Sequence, residues 1–420
     1  MRILQLSWEY PPLVYGGLGR HLHALAEAFA SAGHEVTVVT QHADGVPYDT
    51  VVNGVRVIRV PQDPPQVPIS DLLAWVMGFN HSITRAALRA AGETPPDVVH
   101  GHDWLVAHAG TTLKDALGVP LVATVHATEA GRHQGWLPGG LNRAIHTVEW
   151  WLTYEARRVI TCSSHMRWEV NRLFEPPRDK LDVIPNGVDV GRWSCGEAAE
   201  AVMRRRYGDG GPLLLYTGRL EWEKGVHTLL QALPRLRRRH PGLRLVVAGR
   251  GTQEEELRGL ARRLRLGRAV AFTGWLGAEE LSALAAAADC AVVPSIYEPF
   301  GMVALEAAAA GTPLVVSDTG GLREFVAHGV TGLLVPPGDV ARLAGAVTSV
   351  LRDEILARRL VREARTVLAR DYTWASVARR TLACYERAIR EERALQADLA
   401  ARARRPLRMA VREGNLLAGD

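Results

Sequence analysis

Apolar and polar positions along the chain follow one plan that occurs twice. An apolar strand over residues 2–7 is followed by a long loop and a helix with one apolar face, and the plan restarts with a strand over residues 213–216. The apolar faces of the two helices are formed by Leu22, Leu25, Ala26 and Phe29, and by Val226, Leu229, Leu230 and Leu233. The repetition predicts two similar doubly wound α/β domains.

Other apolar runs predict further strands that alternate with helical stretches. Such alternation is typical of parallel sheets, whose ligands bind beyond the carboxyl ends of the strands. The predicted strands are 35–40, 55–60, 97–100, 121–125, 159–162 and 181–184 in the first half, and 243–249, 270–273, 290–294 and 314–317 in the second. Two domains facing each other would place a site in the cleft between them.

Changes in composition suggest where the domains end. We expect an N-terminal domain over 1–185, a Gly-rich polar linker over 186–211 and a C-terminal domain over 212–371. A terminal helix is predicted over 372–392, and the basic tail 393–420 is expected to be disordered.

The cysteines and the N-terminus favour a cytoplasmic protein. The four cysteines are scattered without a CxxC pair, which fits a reduced protein without a structural metal. The chain starts directly with a strand pattern instead of a signal peptide, and no uncharged apolar run is long enough to span a bilayer.

The net charge of +5 could suit an acidic partner. The basic residues, however, are spread over helices as solvated faces, and aromatic residues do not interleave with them. We therefore expect no nucleic-acid partner. The oligomeric state is left open.

Glycines precede the first helix as Gly16-Gly17-Leu18-Gly19. The string is not G-x-G-x-x-G, and the next strand lacks the acidic residue that binds a ribose, so nicotinamide binding is not expected. Backbone N–H groups at such a helix start can bind an anion, although a purely structural turn is the alternative.

Two cations flank the turn between the second domain's first strand and helix. Arg219 and Lys224 can both contact phosphate oxygens, Arg as a planar fork and Lys as a point charge. Together they could neutralise a leaving diphosphate without a metal. The alternative is a surface ion pair with Glu221 or Glu223.

The string from Glu298 to Glu306 contains two carboxylates around a glycine that opens a helix. Glu298 in the loop can accept hydrogen bonds from sugar hydroxyls, and Glu306 inside the helix can reach ribose hydroxyls. The alternative role for Glu298 is to stabilise the helix N-terminus.

Three histidines, His100, His102 and His126, lie near predicted strand ends, together with Asp103. They lack the HxxxH spacing of a helical zinc site, and no cysteine is near, so we do not predict a metal site.

Seven motifs together resemble the retaining glycosyltransferases of family 4, over about residues 1–390. Within the wider group they are similar to bacterial and archaeal glycogen synthases, including the actinobacterial α-1,4-glucosyltransferases of methylglucose lipopolysaccharide and glycogen synthesis. The motifs begin at Trp8 (WEYPP), Gly16 (GGLG), Gly101 (GHDW), Pro185 (PNGVD), Gly218 (GRLEWEKG), Glu298 (EPFGMVALE) and Gly320 (GGLRE).

The resemblance implies a GT-B fold, with two Rossmann-like domains, a donor site in the cleft and a C-terminal helix that crosses back to the first domain. Arg219 and Lys224 would hold the diphosphate, and Glu306 the ribose. The expected catalytic residues are His126, Arg219, Lys224 and Glu298. The expected substrate-binding residues are Gly16, Gly17, Asp103, Asn186, Phe300, Gly301, Met302, Val303 and Glu306.

One position departs from the family pattern. Many glycogen synthases carry a lysine shortly before the paired glycines, where this chain has Val14-Tyr15. That lysine contacts donor phosphate, so phosphate binding here would depend more on Arg219 and Lys224.

The activity implied is glucosyl transfer, with retention, from ADP- or UDP-glucose to the non-reducing end of an α-1,4-glucan or oligosaccharide. No metal or other cofactor is expected. The alternative is a related transferase that adds mannose or N-acetylglucosamine to a lipid or small molecule. A catalytically idle carbohydrate-binding protein is a further alternative, although binding alone does not need two cations for a diphosphate.

Overall fold

The computed structural model describes residues 1–61, 67–208 and 210–403. Its N-terminal domain contains an eight-stranded sheet, whose strands are β1 (Arg2–Leu6), β2 (Glu35–Gln41), β3 (Asp49–Val52), β4 (Val55–Val60), β5 (Val98–His102), β6 (Leu121–Val125), β7 (Arg158–Thr161) and β8 (Leu181–Val183). The spatial order is β3-β4-β2-β1-β5-β6-β7-β8, and every pairing is parallel except the β3–β4 hairpin.

The C-terminal domain contains a six-stranded sheet, whose strands are β9 (Leu213–Thr217), β10 (Arg244–Ala248), β11 (Val270–Gly274), β12 (Cys290–Val293), β13 (Leu314–Ser317) and β14 (Leu333–Val335). The order β11-β10-β9-β12-β13-β14 is parallel throughout. In each domain the chain begins at a central strand, adds strands on one side of it, and then crosses over to add strands on the other side. Both domains are therefore doubly wound. The fold predicted from the sequence is confirmed.

Helices cover the sheets. Those associated with the first sheet are α1 (Gly17–Ser31), α2 (Leu72–Glu93), α3 (Ala107–Leu117), α4 (Glu129–Arg132), α5 (Gly140–Glu155) and α6 (Ser164–Phe174). The later helices are α7 (Glu197–Tyr207), α8 (Val226–Arg239), α9 (Glu254–Arg263), α10 (Ala278–Ala287), α11 (Met302–Ala310), α12 (Leu322–Phe325), α13 (Val340–Arg352), α14 (Glu354–Asp371) and α15 (Trp374–Ala403). Short 3-10 helices occur at Trp104–Val106, Arg178–Lys180, Gly191–Trp193, Trp222–Lys224 and Gly267–Ala269.

Two strands were not predicted. The edge strand β3 is mostly exposed and lacks apolar alternation, although the Asn53-Gly54 pair that joins it to β4 is a strong hairpin signal. Both turn residues have positive φ angles, 49° for Asn53 and 80° for Gly54. Strand β14 has only three residues, too few for a period to be recognised.

The expected linker is partly helical. Helix α7 lies within residues 186–211 and packs against α10 of the C-terminal domain. Arg204 donates a hydrogen bond of 2.7 Å to the Ala287 carbonyl and forms an ion pair of 2.7 Å with Asp289. The linker boundaries stay a prediction, but helix α7 within them was not predicted because few of its residues are apolar.

The last helix is longer than predicted. Helix α15 continues past residue 392 to Ala403, so the prediction of a disordered tail was wrong for 393–403; residues 404–420 lie outside the described residues. The helix returns to the first domain, where Arg158 pairs with Glu391 at 2.8 Å. The Tyr385 ring lies beside Phe29 of α1, with 5.6 Å between ring centroids.

Among the described residues, no helix is long and apolar enough to cross a membrane.

Candidate functional site

The turn that carries Arg219 and Lys224 lies directly against the end of β12. Gly225 closes the turn with a φ of 65°, and a Cβ atom there would collide with the Pro294 carbonyl. The Ile296 amide donates a hydrogen bond of 2.8 Å to the Glu223 carbonyl. These contacts bring Lys224 to the loop that contains Glu298.

Lys224 and Glu298 form a largely buried ion pair. Lys224 Nζ lies 2.9 Å from Glu298 Oε2, and the side chains are 15% and 11% exposed. Ser295 Oγ donates to the same carboxylate oxygen at 3.0 Å. The structure therefore brings together two predicted catalytic residues and pairs them with each other.

Arg219 forms the alternative ion pair considered from the sequence. One guanidinium nitrogen lies 3.2 Å from Glu223 Oε1, and the Arg219 side chain is 46% exposed. Exposed pairs of this kind contribute little free energy. The guanidinium can therefore turn to a phosphate ligand at small cost.

The start of helix α11 presents free backbone donors beside this pair. Within the part of the chain that the structure describes, the amides of Phe300, Gly301, Met302 and Val303 donate to no protein acceptor. Gly301 precedes the helix with a φ of 100°. A helix start of this kind attracts anions and accepts polar oxygens.

A second pair of glycines supports the Glu298 loop from behind. Gly321 donates its amide to the Glu298 carbonyl at 3.0 Å, and a Cβ atom at Gly320 would collide with that carbonyl. The two glycines therefore position the Glu298 loop through backbone contacts.

Glu306 is held by the opposite domain. Its Oε1 forms an ion pair with Arg20 of α1, whereas its Oε2 is buried and has no hydrogen-bond partner among the described residues. Nearby, a Cβ atom at Gly17 would lie 3.2 Å from Met302 Sδ, so the glycine loop and α11 face each other closely. The expected contact of Glu306 with a ribose hydroxyl stays a prediction.

The glycine loop is organised by Glu9, which sequence reasoning missed. Glu9 Oε2 accepts hydrogen bonds from the amides of Tyr15 at 2.9 Å, Gly16 at 3.0 Å and Gly19 at 3.3 Å. The Gly16 amide, expected beside the donor diphosphate, thus already has a carboxylate acceptor. The approach of Gly17 to the donor stays a prediction.

Asp103 positions the His126 segment. Asp103 has a φ of 62°, and its Oδ1 accepts the His126 amide at 2.7 Å. Burial raises the pKa of Asp103 to about 6, against the opposing effect of nearby Arg132. Burial, assisted by the charge of Arg132, lowers the pKa of His126 to about 3, so this imidazole is neutral at physiological pH.

A chain of hydrogen bonds connects His126 to the C-terminal helix. His126 Nε2 lies 3.1 Å from His102 Nδ1, and His102 Nε2 lies 2.8 Å from Gln5 Oε1. The amide nitrogen of Gln5 donates to Tyr385 Oη at 3.0 Å, and that hydroxyl lies 2.6 Å from His100 Nδ1. Because the Gln5 oxygen can only accept, His102 carries its proton on Nε2, and His126 donates to its Nδ1.

The predicted residue Asn186 also lies in this region. It is buried, and its Oδ1 has no hydrogen-bond partner among the described residues. Its side chain opposes the effect of burial on the pKa of His21, which places the two side chains next to each other.

Direct contacts across the cleft hold the Glu298 loop against the N-terminal domain. Ser163 Oγ donates to the Pro299 carbonyl at 2.7 Å. Tyr297 Oη donates to Glu169 Oε1 at 2.9 Å. The loop therefore belongs to the interface of the two domains, where a ligand would contact both.

Two family models together match most of the chain. The family model for Glycosyltransferase Family 4 matches residues 15–192, and the model for Glycosyl transferases group 1 matches residues 204–367. The chain is 50% identical over 411 residues to the glycogen synthase of Mycobacterium tuberculosis, covering 95% of this chain and 98% of that protein. The chain belongs to glycosyltransferase family 4. It is a retaining nucleotide-sugar glycosyltransferase, as the sequence predicted.

The chain is also similar to proteins at lower sequence identity. The D-inositol 3-phosphate glycosyltransferase of Acidothermus cellulolyticus is 34% identical over 397 residues, covering 90% of this chain and 87% of that protein. Among solved structures, the sucrose-phosphate synthase from Thermosynechococcus elongatus superposes with a TM-score of 0.80 at 27% identity, covering 92% of this chain and 98% of that one. These matches confirm the GT-B fold.

Proposed function

We propose that this family 4 glycosyltransferase moves glucose from ADP- or UDP-glucose to the non-reducing end of an α-1,4-glucan, with retention. The observation that carries the proposal is the row of free amides at the start of α11 beside the Lys224–Glu298 pair. The 50% identity to a glycogen synthase supports glucose as the sugar and a glucan as the acceptor.

Donor binding would exchange partners within the site. The diphosphate draws Lys224 away from Glu298 and Arg219 away from Glu223, because two phosphate groups carry more charge than one carboxylate. The carboxylate of Glu298 then accepts hydrogen bonds from the sugar hydroxyls, and the free α11 amides donate hydrogen bonds to them. The free Oε2 of Glu306 accepts a hydrogen bond from a ribose hydroxyl.

The same residues would stabilise the transition state. The bond between the anomeric carbon and the diphosphate oxygen breaks, and the carbon acquires oxocarbenium character while charge develops on the leaving oxygen. Lys224 and Arg219, once they have exchanged their carboxylate partners for the diphosphate, would stabilise the separated charges. The acceptor hydroxyl attacks from the same face, and a donor phosphate oxygen takes its proton.

The polar groups of the N-terminal domain would orient the sugar. Neutral His126 adds no positive charge next to the developing oxocarbenium ion, and it can hold the sugar through its backbone carbonyl or ring. Asp103 fixes the His126 backbone through the 2.7 Å hydrogen bond. A cytoplasmic location is proposed as well, since all four cysteines are free thiols.

A second function is supported by the relatives that act on D-inositol 3-phosphate, at 34% identity for the A. cellulolyticus protein. In this alternative, the donor site is the same and mannose or N-acetylglucosamine passes to a small-molecule or lipid acceptor. The acceptor would then be selected by the segment 126–141 on the N-terminal side.

An initial-rate screen separates the two functions. ADP-, UDP- and GDP-linked sugars are combined with short α-1,4-glucans or with inositol phosphates, and nucleotide release and product linkage are followed. Transfer from ADP- or UDP-glucose with new α-1,4 linkages is the result expected. Turnover only with another sugar or only with a small acceptor would overturn the glucan proposal and leave the family unchanged.

A further inference from the structure

Three histidines converge beneath the cleft in the N-terminal domain. His21 lies on α1, His102 ends β5 and His126 follows β6. One ring nitrogen from each lies within 4.8 Å of the other two. The His21 ring centroid is 4.8 Å from that of His126 and 5.6 Å from that of His102. The sequence analysis considered His100 in place of His21. In the structure, His100 instead contacts Tyr385 and Thr124.

His21 is the unusual member of the trio. It is 4% exposed, and neither ring nitrogen makes a hydrogen bond of regular geometry among the described residues, although the Asn186 side chain lies next to the ring. A neutral imidazole carries one N–H donor and one lone pair, and burying them unpaired costs free energy. A ligand that uses the lone pair would recover part of that cost.

His102 and His126 are already spaced as two ligands of one ion. His102 Nδ1 and His126 Nε2 are 3.1 Å apart. Two nitrogens bound to a tetrahedral zinc ion at its usual bond length lie about 3.4 Å apart. Only a small adjustment would therefore let a metal ion replace the proton between them, with the His126 proton moving to Nδ1.

The partner of His102 resembles the outer shell of a metal site. Gln5 Oε1 accepts from His102 Nε2 at 2.8 Å, which leaves the lone pair of Nδ1 directed at the trio. Histidines that bind metals commonly donate their other N–H to an oxygen in this way. The buried, unpaired Asn186 Oδ1 or a water molecule is available for a fourth position.

We propose that His21, His102 and His126 form a binding site for Zn²⁺. Neutral imidazoles are strong ligands for this ion, and a site with three protein ligands leaves one position open. The proposed glycosyl transfer does not use this ion. Zn²⁺ bound to His126 would add positive charge next to the carbon that acquires oxocarbenium character, so that zinc inhibits the enzyme; this consequence, but not the binding itself, rests on the proposed function.

Metal binding can be measured without turnover. The full chain, freed of metal by a chelator, is titrated with Co²⁺, whose visible absorption reports tetrahedral coordination, and Zn²⁺ is then used to displace it. We expect one tightly bound ion per chain. Wild-type protein that binds no Co²⁺ or Zn²⁺, or binds it only with an octahedral spectrum, would overturn the proposal.

Variants identify the ligands. His21→Gln should weaken Zn²⁺ binding by at least about tenfold, the lower end of the loss caused by changing even an outer-shell partner. His81→Gln, at an exposed position of α2, is the matched control and should bind like the wild type. Equal affinity of wild type and His21→Gln, or an equal loss in both variants, would contradict the site.

A second variant tests the site independently, in case His21→Gln does not fold. His126→Gln, checked by circular dichroism, should lose the same absorption band of bound Co²⁺. Zinc inhibition of nucleotide release is then assayed for the wild type, His81→Gln and His21→Gln. A protein that binds zinc through the trio without transferring any sugar would refute the proposed function and leave the metal site intact.

Discussion

Lys224 Nζ lies 2.9 Å from Glu298 Oε2, although the two residues are expected to hold opposite parts of the donor, its diphosphate and its sugar. The pair explains how two charged side chains can be largely buried in the cleft, since each compensates the charge of the other. It also means that the donor must separate them.

The first prediction concerns this pair. Lys224→Ala and Glu298→Ala should each lower kcat/KM by at least about 10², the scale for loss of one transition-state contact. The double variant should lose less than the product of the two effects, because either single variant leaves an unpaired buried charge. Steady-state kinetics of the three variants test this.

Lys114→Ala is the matched control. Lys114 forms an ion pair of 2.5 Å with Glu155, away from the cleft, so its loss should leave kcat/KM near the wild-type value. Wild-type turnover in both Lys224→Ala and Glu298→Ala would refute the assigned site.

The second prediction concerns the bridge from Arg20 to Glu306. Without Arg20, the Glu306 carboxylate is unpaired and repels the donor diphosphate. Arg20→Ala should therefore raise the donor KM by about tenfold, as for loss of a hydrogen bond to a charged group. Arg56→Ala, which breaks the exposed pair with Asp49 at the β3–β4 edge, should leave the donor KM unchanged. Unchanged donor affinity in Arg20→Ala would contradict the idea.

The third prediction is an acid limb in the pH profile. Because burial raises the pKa of Asp103 to about 6, this carboxyl gains a proton as the pH falls through that value and holds the His126 amide less strongly. We expect kcat/KM to decline below about pH 6. Profiles between about pH 5 and 8 for the wild type and Asp103→Asn provide the measurement. An unchanged acid limb in the variant would assign it to another group.

The fourth prediction concerns stability. Burial raises the pKa of Glu149 from its ordinary value of 4.5 to about 8, so the folded state binds a proton more tightly than the unfolded state. Its contribution is fully present below pH 4.5 and is lost as the pH rises towards about 8. Glu149→Gln has no such pH-dependent loss. The free energy of unfolding of the variant minus that of the wild type should therefore increase with pH, by up to about 1.4 kcal/mol per pH unit.

Urea unfolding at several pH values measures the Glu149 effect. Glu279→Gln, at an exposed position on α10, is the control and should follow the wild type at every pH. A constant difference between Glu149→Gln and the wild type across this range would show that Glu149 is not protonated preferentially in the folded state.

Much of the fold could be predicted because its signals are local. Buried parallel strands such as β6 and β12 are short apolar runs, and the motifs that carry Lys224, Glu298 and Glu306 follow strand ends. The family resemblance then supplied the fold, which is confirmed, and the donor residues, which stay a prediction. Helix α7 and strand β3 were missed because their residues are mostly exposed and show little apolar periodicity.

The contacts within the site could not be predicted because they join distant parts of the chain. The bond between Gln5 and Tyr385 spans 380 residues, and that between Arg20 and Glu306 spans 286. His21 follows the glycine motif by two positions, but nothing local indicates that its ring is buried against His126. The carboxylate of Glu9 belongs to a recognised motif, whereas its role as an acceptor for the glycine loop depends on how the loop folds.

The path of α15 has a consequence for biosynthesis. Cys384, Tyr385 and Ala388 of this helix belong to the core of the N-terminal domain, together with residues of α1, β1 and β2. The ribosome therefore synthesises the whole C-terminal domain before it synthesises α15, which completes the core of the N-terminal domain. Until α15 is made, Gln5 Nε2 and His100 Nδ1 lack the Tyr385 hydroxyl as a partner, so a polypeptide that ends before α15 has an incomplete interior that proteases and chaperones can recognise.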